Sequence, residues 1–298
     1  MKRFFFLFVA ALLALSVLFS CTKEDQPEPD PEPPQQKEEK KTSVPTAYNE
    51  IISFEEIPAA DRPSYTAGGV CYTILSIEYT TGHRYIVRQI ESTKASGDMS
   101  VLVGTYNYKD SVFNCKGSFN AAVKPLKDGN VDITLTVAGK KTSLNSKGTI
   151  KKVKAKSTEI SQASDNWVID VCYITISGKG ISLQRAFKGC NIYEMVKYAV
   201  DNGATVNPEI VAGYNLSELI FTYADSMAIC FSGAPAFYGT YSLSGDDFGF
   251  HLVVGNKELM DANVKGKLTF PEKGKANLIL STTIDGFSGS LEFEMSKK

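Results

Sequence analysis

The 298-residue chain is poor in the residues that most often carry chemistry. It holds two histidines, His83 and His251, and one tryptophan, Trp167. No histidine pair stands at helix spacing and no cysteines cluster, so the common zinc arrangements are absent. No C-x-x-C occurs. Neither sign of charge dominates: 32 basic residues face 33 acidic ones. That balance removes the electrostatic case for a nucleic-acid partner. After the first residues no apolar run is long enough to cross a bilayer as a helix.

Nucleophile settings such as G-x-S-x-G are missing too. "SGKG" (177–180) lacks a full phosphate loop and falls between strand-like segments, where it reads as a hairpin turn. "SGDDFG" sets Asp246 beside Asp247 without the alternating oxygens of a calcium loop, and reads as a turn. Cys190 follows Gly189 at a helix start, a place that can acidify a thiol. No histidine accompanies it, so it reads as structural. A facing pair of carboxylates, as a glycosidase needs, cannot be picked out from so many acids. These absences lead to expectations of no cofactor, no metal and no catalytic residue.

What is present begins at the N-terminus. Lys2 and Arg3 precede an apolar run from Phe4 to about Val17, and a small residue, Ser20, precedes Cys21. A basic start, a short apolar stretch and a small residue make a secretory signal peptide. Leu18, Phe19, Ser20 and Cys21 resemble the lipobox of bacterial lipoproteins. The resemblance implies cleavage between Ser20 and Cys21, and lipid on the Cys21 thiol and its new amine. Two or more acyl chains anchor stably where one does not. Lys23, Glu24 and Asp25 resemble the export signal of Bacteroidota surface lipoproteins, which places acidic residues just after the lipidated cysteine. That resemblance implies the outer membrane, on the cell-surface face rather than the periplasmic one.

The segment "TKEDQPEPDPEPPQQKEEKKTSVP" has no hydrophobic period and a proline every few residues. It cannot bury enough apolar area to offset its ordering entropy. Proline favours extended polyproline II, so about 25 residues reach up to roughly 80 Å. We read residues 1–20 as signal peptide and 21–47 as the lipidated cysteine and a disordered linker.

Five cysteines remain: Cys71, Cys115, Cys172, Cys190 and Cys230. An odd number cannot all pair within one chain. Several lie among strand-forming apolar residues and read as buried small hydrophobes. Sequence does not choose disulfide partners.

The rest reads as short alternating strands with turn punctuation, and it repeats. "LSIEYTTGHRYIV" (75–87) lies over "LIFTYADSMAICF" (219–231). "LVGTYNY" (102–108) lies over "FYGTYSL" (237–243), with Gly-Thr-Tyr in one phase. "CKGSFNAAV" (115–123) lies over "VKGKLTFPE" (264–272), and "KDGNVDITLTV" (127–137) over "EKGKANLILST" (272–282). A rival register sets "VCYTI" (70–74) on "VCYITI" (171–176). Between the copies, Asn191 and Glu194 resemble a capping box. Ile192, Met195, Val196, Ala199 and Val200 share one helical face, and Asn202-Gly203 supplies a stop.

The fold expected is mainly β: two antiparallel meander units, 48–155 and 162–298, each a barrel or a sandwich. The second carries one amphipathic helix over 191–202. It resembles, in the broad sense of an up-and-down barrel, the lipocalins, although its Gly-Thr-Tyr is not their Gly-x-Trp. The function expected is non-enzymatic binding of a small molecule, glycan or protein by a membrane-anchored surface lipoprotein. The alternatives are a lipocalin-like carrier of a small apolar ligand, a two-carboxylate hydrolase and a scaffold subunit of an envelope assembly.

Overall fold

In the computed structural model, residues 48–91, 99–178, 181–201, 207–212, 214–232, 234–254, 257–259, 264–284 and 287–298 are described. Ser20, Cys21, Lys23, Glu24 and Asp25, and the helix stop at Asn202-Gly203, lie outside them.

Strands succeed one another through the first ladder: β1 (Tyr48–Ser53), β2 (Ser64–Ala67), β3 (Val70–Tyr79), β4 (Arg84–Glu91), β5 (Met99–Lys109), β6 (Val112–Gly117), β7 (Ala121–Pro125), β8 (Asn130–Val137), β9 (Lys140–Lys147) and β10 (Thr149–Lys154). β3 to β9 pair antiparallel with their sequence neighbours, β2 pairs with β3, and β1 pairs with β3. β9 and β10 are one run interrupted at Gly148. The first half lies on β8 and the second on β1, so the ladder returns to its start.

The second ladder follows α1 (Thr158–Ala163). It comprises β11 (Asp165–Gly178), β12 (Ile181–Lys188), β13 (Cys190–Asn191), then α2 (Ile192–Asp201), then β14 (Asn215–Phe221), β15 (Ser226–Ser232), β16 (Ala234–Ser244), β17 (Asp247–Val254), β18 (Lys257–Leu259), β19 (Lys265–Thr269), β20 (Lys275–Ile284) and β21 (Phe287–Lys297). Here the ring closes through hydrogen bonds alone: β11, β14, β15, β16, β17, β19, β20 and β21, each antiparallel to the next, with β21 back on β11. The choice between barrel and sandwich is thereby settled for this unit. Closure leaves these eight strands no free edge among themselves.

Alternation explains both interiors. Ile77, Tyr79, Tyr85, Val87, Phe113, Val123, Val131, Ile133 and Leu135 fill the first. Leu219, Phe221, Met227, Ile229, Phe248, Leu268, Leu278, Leu280 and Phe293 fill the second. Each such side chain contributes roughly 1.5–3 kcal/mol on leaving water.

The two helices are held by named side chains. The Glu194 N–H donates to Asn191 Oδ1 at 3.2 Å, the cap expected at the start of α2. Ile192, Met195 and Val196 are its buried face. α1 was not foreseen, because it has six residues and too little length to show a period. Its Ile160 N–H donates to Ser157 Oγ at 3.2 Å, and Ile160 and Ala163 join the second core. Trp167 Nε1 then donates to Ala163 O at 2.6 Å, closing the helix against β11.

The repeat is present in hydrogen bonds, with two corrections to its register. The hairpin turn of β3 and β4 is closed by Thr80 N–H donating to Arg84 O at 2.8 Å, and that of β14 and β15 by Thr222 N–H donating to Ser226 O at 2.9 Å. His83 and Asp225 both take positive φ there, 57° and 59°. Tyr79 therefore corresponds to Phe221 and Tyr85 to Met227, two residues away from the alignment read from sequence. The third match also shifts. Gly117 ends β6, whereas Gly266 lies inside β19, so β7 rather than "CKGSFNAAV" matches β19. The fourth register holds: Gly129 and Gly274 take φ of 80° and 77°, and Val131, Ile133 and Leu135 are buried like Ala276, Leu278 and Leu280.

Gly-Thr-Tyr is the pin of each barrel. The Tyr106 hydroxyl donates to Thr80 O at 2.7 Å, and the Tyr241 hydroxyl to Thr222 O at 2.8 Å. Backbone N–H groups of the same tyrosines donate to His83 O and Asp225 O at 2.9 and 2.8 Å. Each glycine is demanded by close approach. A Cβ on Gly104 would lie 2.2 Å from Lys116 O, and one on Gly239 would lie 2.4 Å from His251 O. Tyr79 meets Tyr106 edge-on at 5.0 Å, and Phe221 meets Tyr241 the same way at 5.0 Å.

Candidate functional site: the face between the barrels

Strands that fill a barrel with one face still have another. On β3 and β4 the residues out of phase with the first core are Ser76, Glu78, Ile86 and Arg88. On β14 and β15 they are Glu218, Ile220, Ala228 and Cys230. These two outer faces meet. Ile86, Val101, Ile220, Ala228, Cys230 and Tyr238 form one buried cluster, and β5 pairs with β16 at Val101 and Ala236.

Polar groups are set into this joint. Ser226 Oγ donates to Glu78 Oε1 at 3.0 Å and lies 2.9 Å from the Tyr238 hydroxyl. The Arg88 guanidinium sits 5.1 Å over the Tyr238 ring. It donates through Nε to Ser76 Oγ at 2.8 Å and through Nη2 to Glu55 Oε2 at 2.9 Å. Arg84 and Glu218 form an ion pair across the joint.

Glu78 is 3% exposed, and its Oε2 has no hydrogen-bond partner. Burial pushes its carboxyl above the usual range, against the opposing pull of Arg88 and Ser226. Burial likewise raises the Tyr238 phenol, with Glu78 adding to it. A carboxyl raised by burial resembles a general acid. Glu78, however, faces the other barrel rather than solvent, and its contacts are those of a joint between two parts.

The residues weighed from sequence are dispersed. His83 is exposed at the β3–β4 turn, and His251 is exposed on the outer side of β17, in a different ladder. Asp246 and Asp247 form the exposed β16–β17 turn. Gly178 and Ile181 pair between β11 and β12, and Lys179 and Gly180 of "SGKG" lie outside the described residues. Cys190 is buried. Its hydrogen bond with Cys172, followed by burial, holds its thiol well above the ordinary range, so the helix start does not acidify it. The structure holds the five described cysteines unlinked, and among them Cys71 alone is half-buried. Among the described residues no group of three or more His, Cys, Asp or Glu side chains is placed to hold a metal.

Glu78, Arg84, Arg88, Glu218, Ser226 and Tyr238 were not singled out from sequence, because a charged residue alternating with apolar ones reads as the solvent side of a strand. One signal was available. "MAICF" is apolar at every position, which marks a strand buried on both faces.

No family model matches the chain, and no curated protein matches it. Among solved structures, it is similar to a double mutant of the vaccine antigen Transferrin Binding Protein B from Haemophilus parasuis Hp5. Identity is 8%, coverage is 84% of this chain and 75% of that one, and the TM-score is 0.24. It is also similar to a porin-like protein from Bacteroides uniformis ATCC 8492, at 9% identity, 86% and 97% coverage and a TM-score of 0.15. With overlap this low, the fold rests on the strand pairings themselves.

Proposed function

We propose that this chain is a lipid-anchored surface lipoprotein that binds a partner through the outer surface of its barrels and catalyses no reaction. The lipobox at Leu18 to Cys21, the acidic residues after it and the proline-rich tail support the address. The observation that carries the mode of action is a small gap among the apolar side chains of the second core. Lined by Leu216, Leu219, Met227, Ile229 and Phe293 among others, it measures about 20 Å³. That is room for a water and not for a carried ligand, so this gap lends the carrier reading no support. The acids between the barrels, buried Glu78 and half-buried Glu218, are engaged by Ser226 and Arg84 rather than turned toward a substrate. This weighs against a two-carboxylate hydrolase. Tyr108, 52% exposed at the β5–β6 tip, is the single exposed large apolar side chain among the described residues. A scaffold subunit would present a wider apolar patch.

The test is made in intact cells of the source organism. A clickable fatty acid should label the wild-type protein and not the Cys21→Ala variant. External protease should remove the folded part while leaving a periplasmic marker whole. Wild-type protein without label, or a folded part untouched by protease, would defeat the reading.

A further inference from the structure

The closed ring of the second barrel has one seam. β14 pairs with β11 only over Asp165–Val168, and β12 pairs with β11 over Val171–Gly178. Where β11 exchanges one neighbour for the other, its register against β21 also shifts, between Ile169 and Cys172. The two-residue strand β13 fills the gap. Cys190 and Asn191 pair with Leu216 and Asn215 of β14, and Gly189 bridges Val171 in parallel.

That bridge sets two thiols together. Cys172 and Cys190 each follow one member of the Val171–Gly189 bridge, and both side chains lie in the second core. The thiols are in hydrogen-bond contact, and Cys190 Sγ also lies 3.5 Å from Met195 Sδ on α2. Both are sealed in the second core, at 0% and 3% exposure. The other three cysteines have different surroundings: Cys71 on β3, Cys115 against the Tyr79 hydroxyl, and Cys230 in the joint between barrels.

We propose that Cys172 and Cys190, unlinked in this structure, form a disulfide in the exported protein that closes the seam of the second barrel. This rests on the exported address, since disulfides persist in oxidising compartments. Two S–H bonds break and one S–S bond forms. Two electrons and two protons pass to a disulfide-bearing oxidant of the exported compartment, which leaves as a dithiol. The bond removes two thiols from an apolar core without burying any charge. Because both sulfurs are sealed once β13 is in place, the oxidant acts during folding, before the seam closes.

Two arms test it. In the first, protein extracted from the cell envelope under acid quench is alkylated without reductant, digested and mapped by mass. The Cys172 and Cys190 peptides are expected as one linked species, and both peptides alkylated overturns the proposal. In the second, the reduced, denatured chain is refolded with oxidised glutathione. A bond formed here but absent from cells means that the compartment is reducing, and the exported address fails with it. No bond in either arm means that the seam geometry fails while the address stands. As a control, reductant should lower the Tm of the wild type and leave that of Cys172→Ala unmoved.

Discussion

Val101 of β5 pairs with Ala236 of β16, and the two are each other's counterparts, each three residues before its own Gly-Thr-Tyr. Antiparallel strands that meet at equivalent positions are what a two-fold axis produces. Other contacts obey the same relation. Ile86 of β4 and Ala228 of β15 are equivalent in the corrected register, and both lie in the shared cluster. The joint is therefore built like the self-complementary interface of a homodimer, within a single chain. Its polar groups break the symmetry: Glu78 corresponds to Ile220, and Arg84 to Ser226.

Glu78 should make stability fall as pH rises. Its folded carboxyl is raised above the ordinary value of 4.5, so above that pH the folded state holds more protons than the unfolded one. Stability is then lost progressively from about pH 4.5 up through the folded value. Glu78→Gln keeps an acceptor for Ser226 without the charge. At neutral pH it should gain about 1 kcal/mol in urea unfolding, with the gain vanishing near pH 4. A variant less stable than wild type at pH 7 would contradict this.

Arg84 and Glu218 have side chains only 12% exposed each, so removing either strands the other. Arg84→Met or Glu218→Leu alone should cost about 3 kcal/mol or more. The double variant should recover most of that loss. A double-mutant cycle with no coupling would show that the pair is not a unit.

Gly104→Ala and Gly239→Ala should each lower stability by roughly 2–4 kcal/mol. In both cases the new methyl meets a backbone carbonyl, which cannot swing aside as a side chain can. Chemical denaturation of the two variants would check it, and the losses should be comparable because the approach is duplicated.

Tyr106→Phe and Tyr241→Phe keep the ring packing and remove the hydrogen bond to the turn carbonyl, and Tyr241→Phe also removes the contact with Ser164 Oγ. Thr80 and Thr222, whose carbonyls lose their phenol partner, are almost fully buried. A cost of about 1–2 kcal/mol follows for each, read as a drop in the urea midpoint with an unchanged slope. Faster amide exchange at the β3–β4 and β14–β15 turns should accompany it.

Strand content, hairpin order and the repeat were legible in sequence, because half-buried strands alternate with period two. The same period hid the errors. Moving "LSIEYTTGHRYIV" by two residues against its partner keeps every apolar residue on its face, so only the turn bonds of Thr80 and Thr222 fix the register. Ring closure was not legible either. Nothing along the chain says that β21 returns to β11, or that a strand broken at Gly148 serves both β8 and β1. The joint was hidden in a third way. Glu78 and Arg88 look solvated until another barrel covers them, and the apolar run at Met227 to Phe231 was its only trace.

β1 is paired on both sides from Glu50 to Ser53: Tyr48 to Ser53 lie on β10, and Glu50 to Ser53 on β3. A pull applied at Tyr48 enters the fold directly through β1. A pull along the strand loads two rows of hydrogen bonds together, in shear, instead of opening them singly as a peeled edge would. The first barrel is thus arranged to grip β1 as a mechanical clamp would.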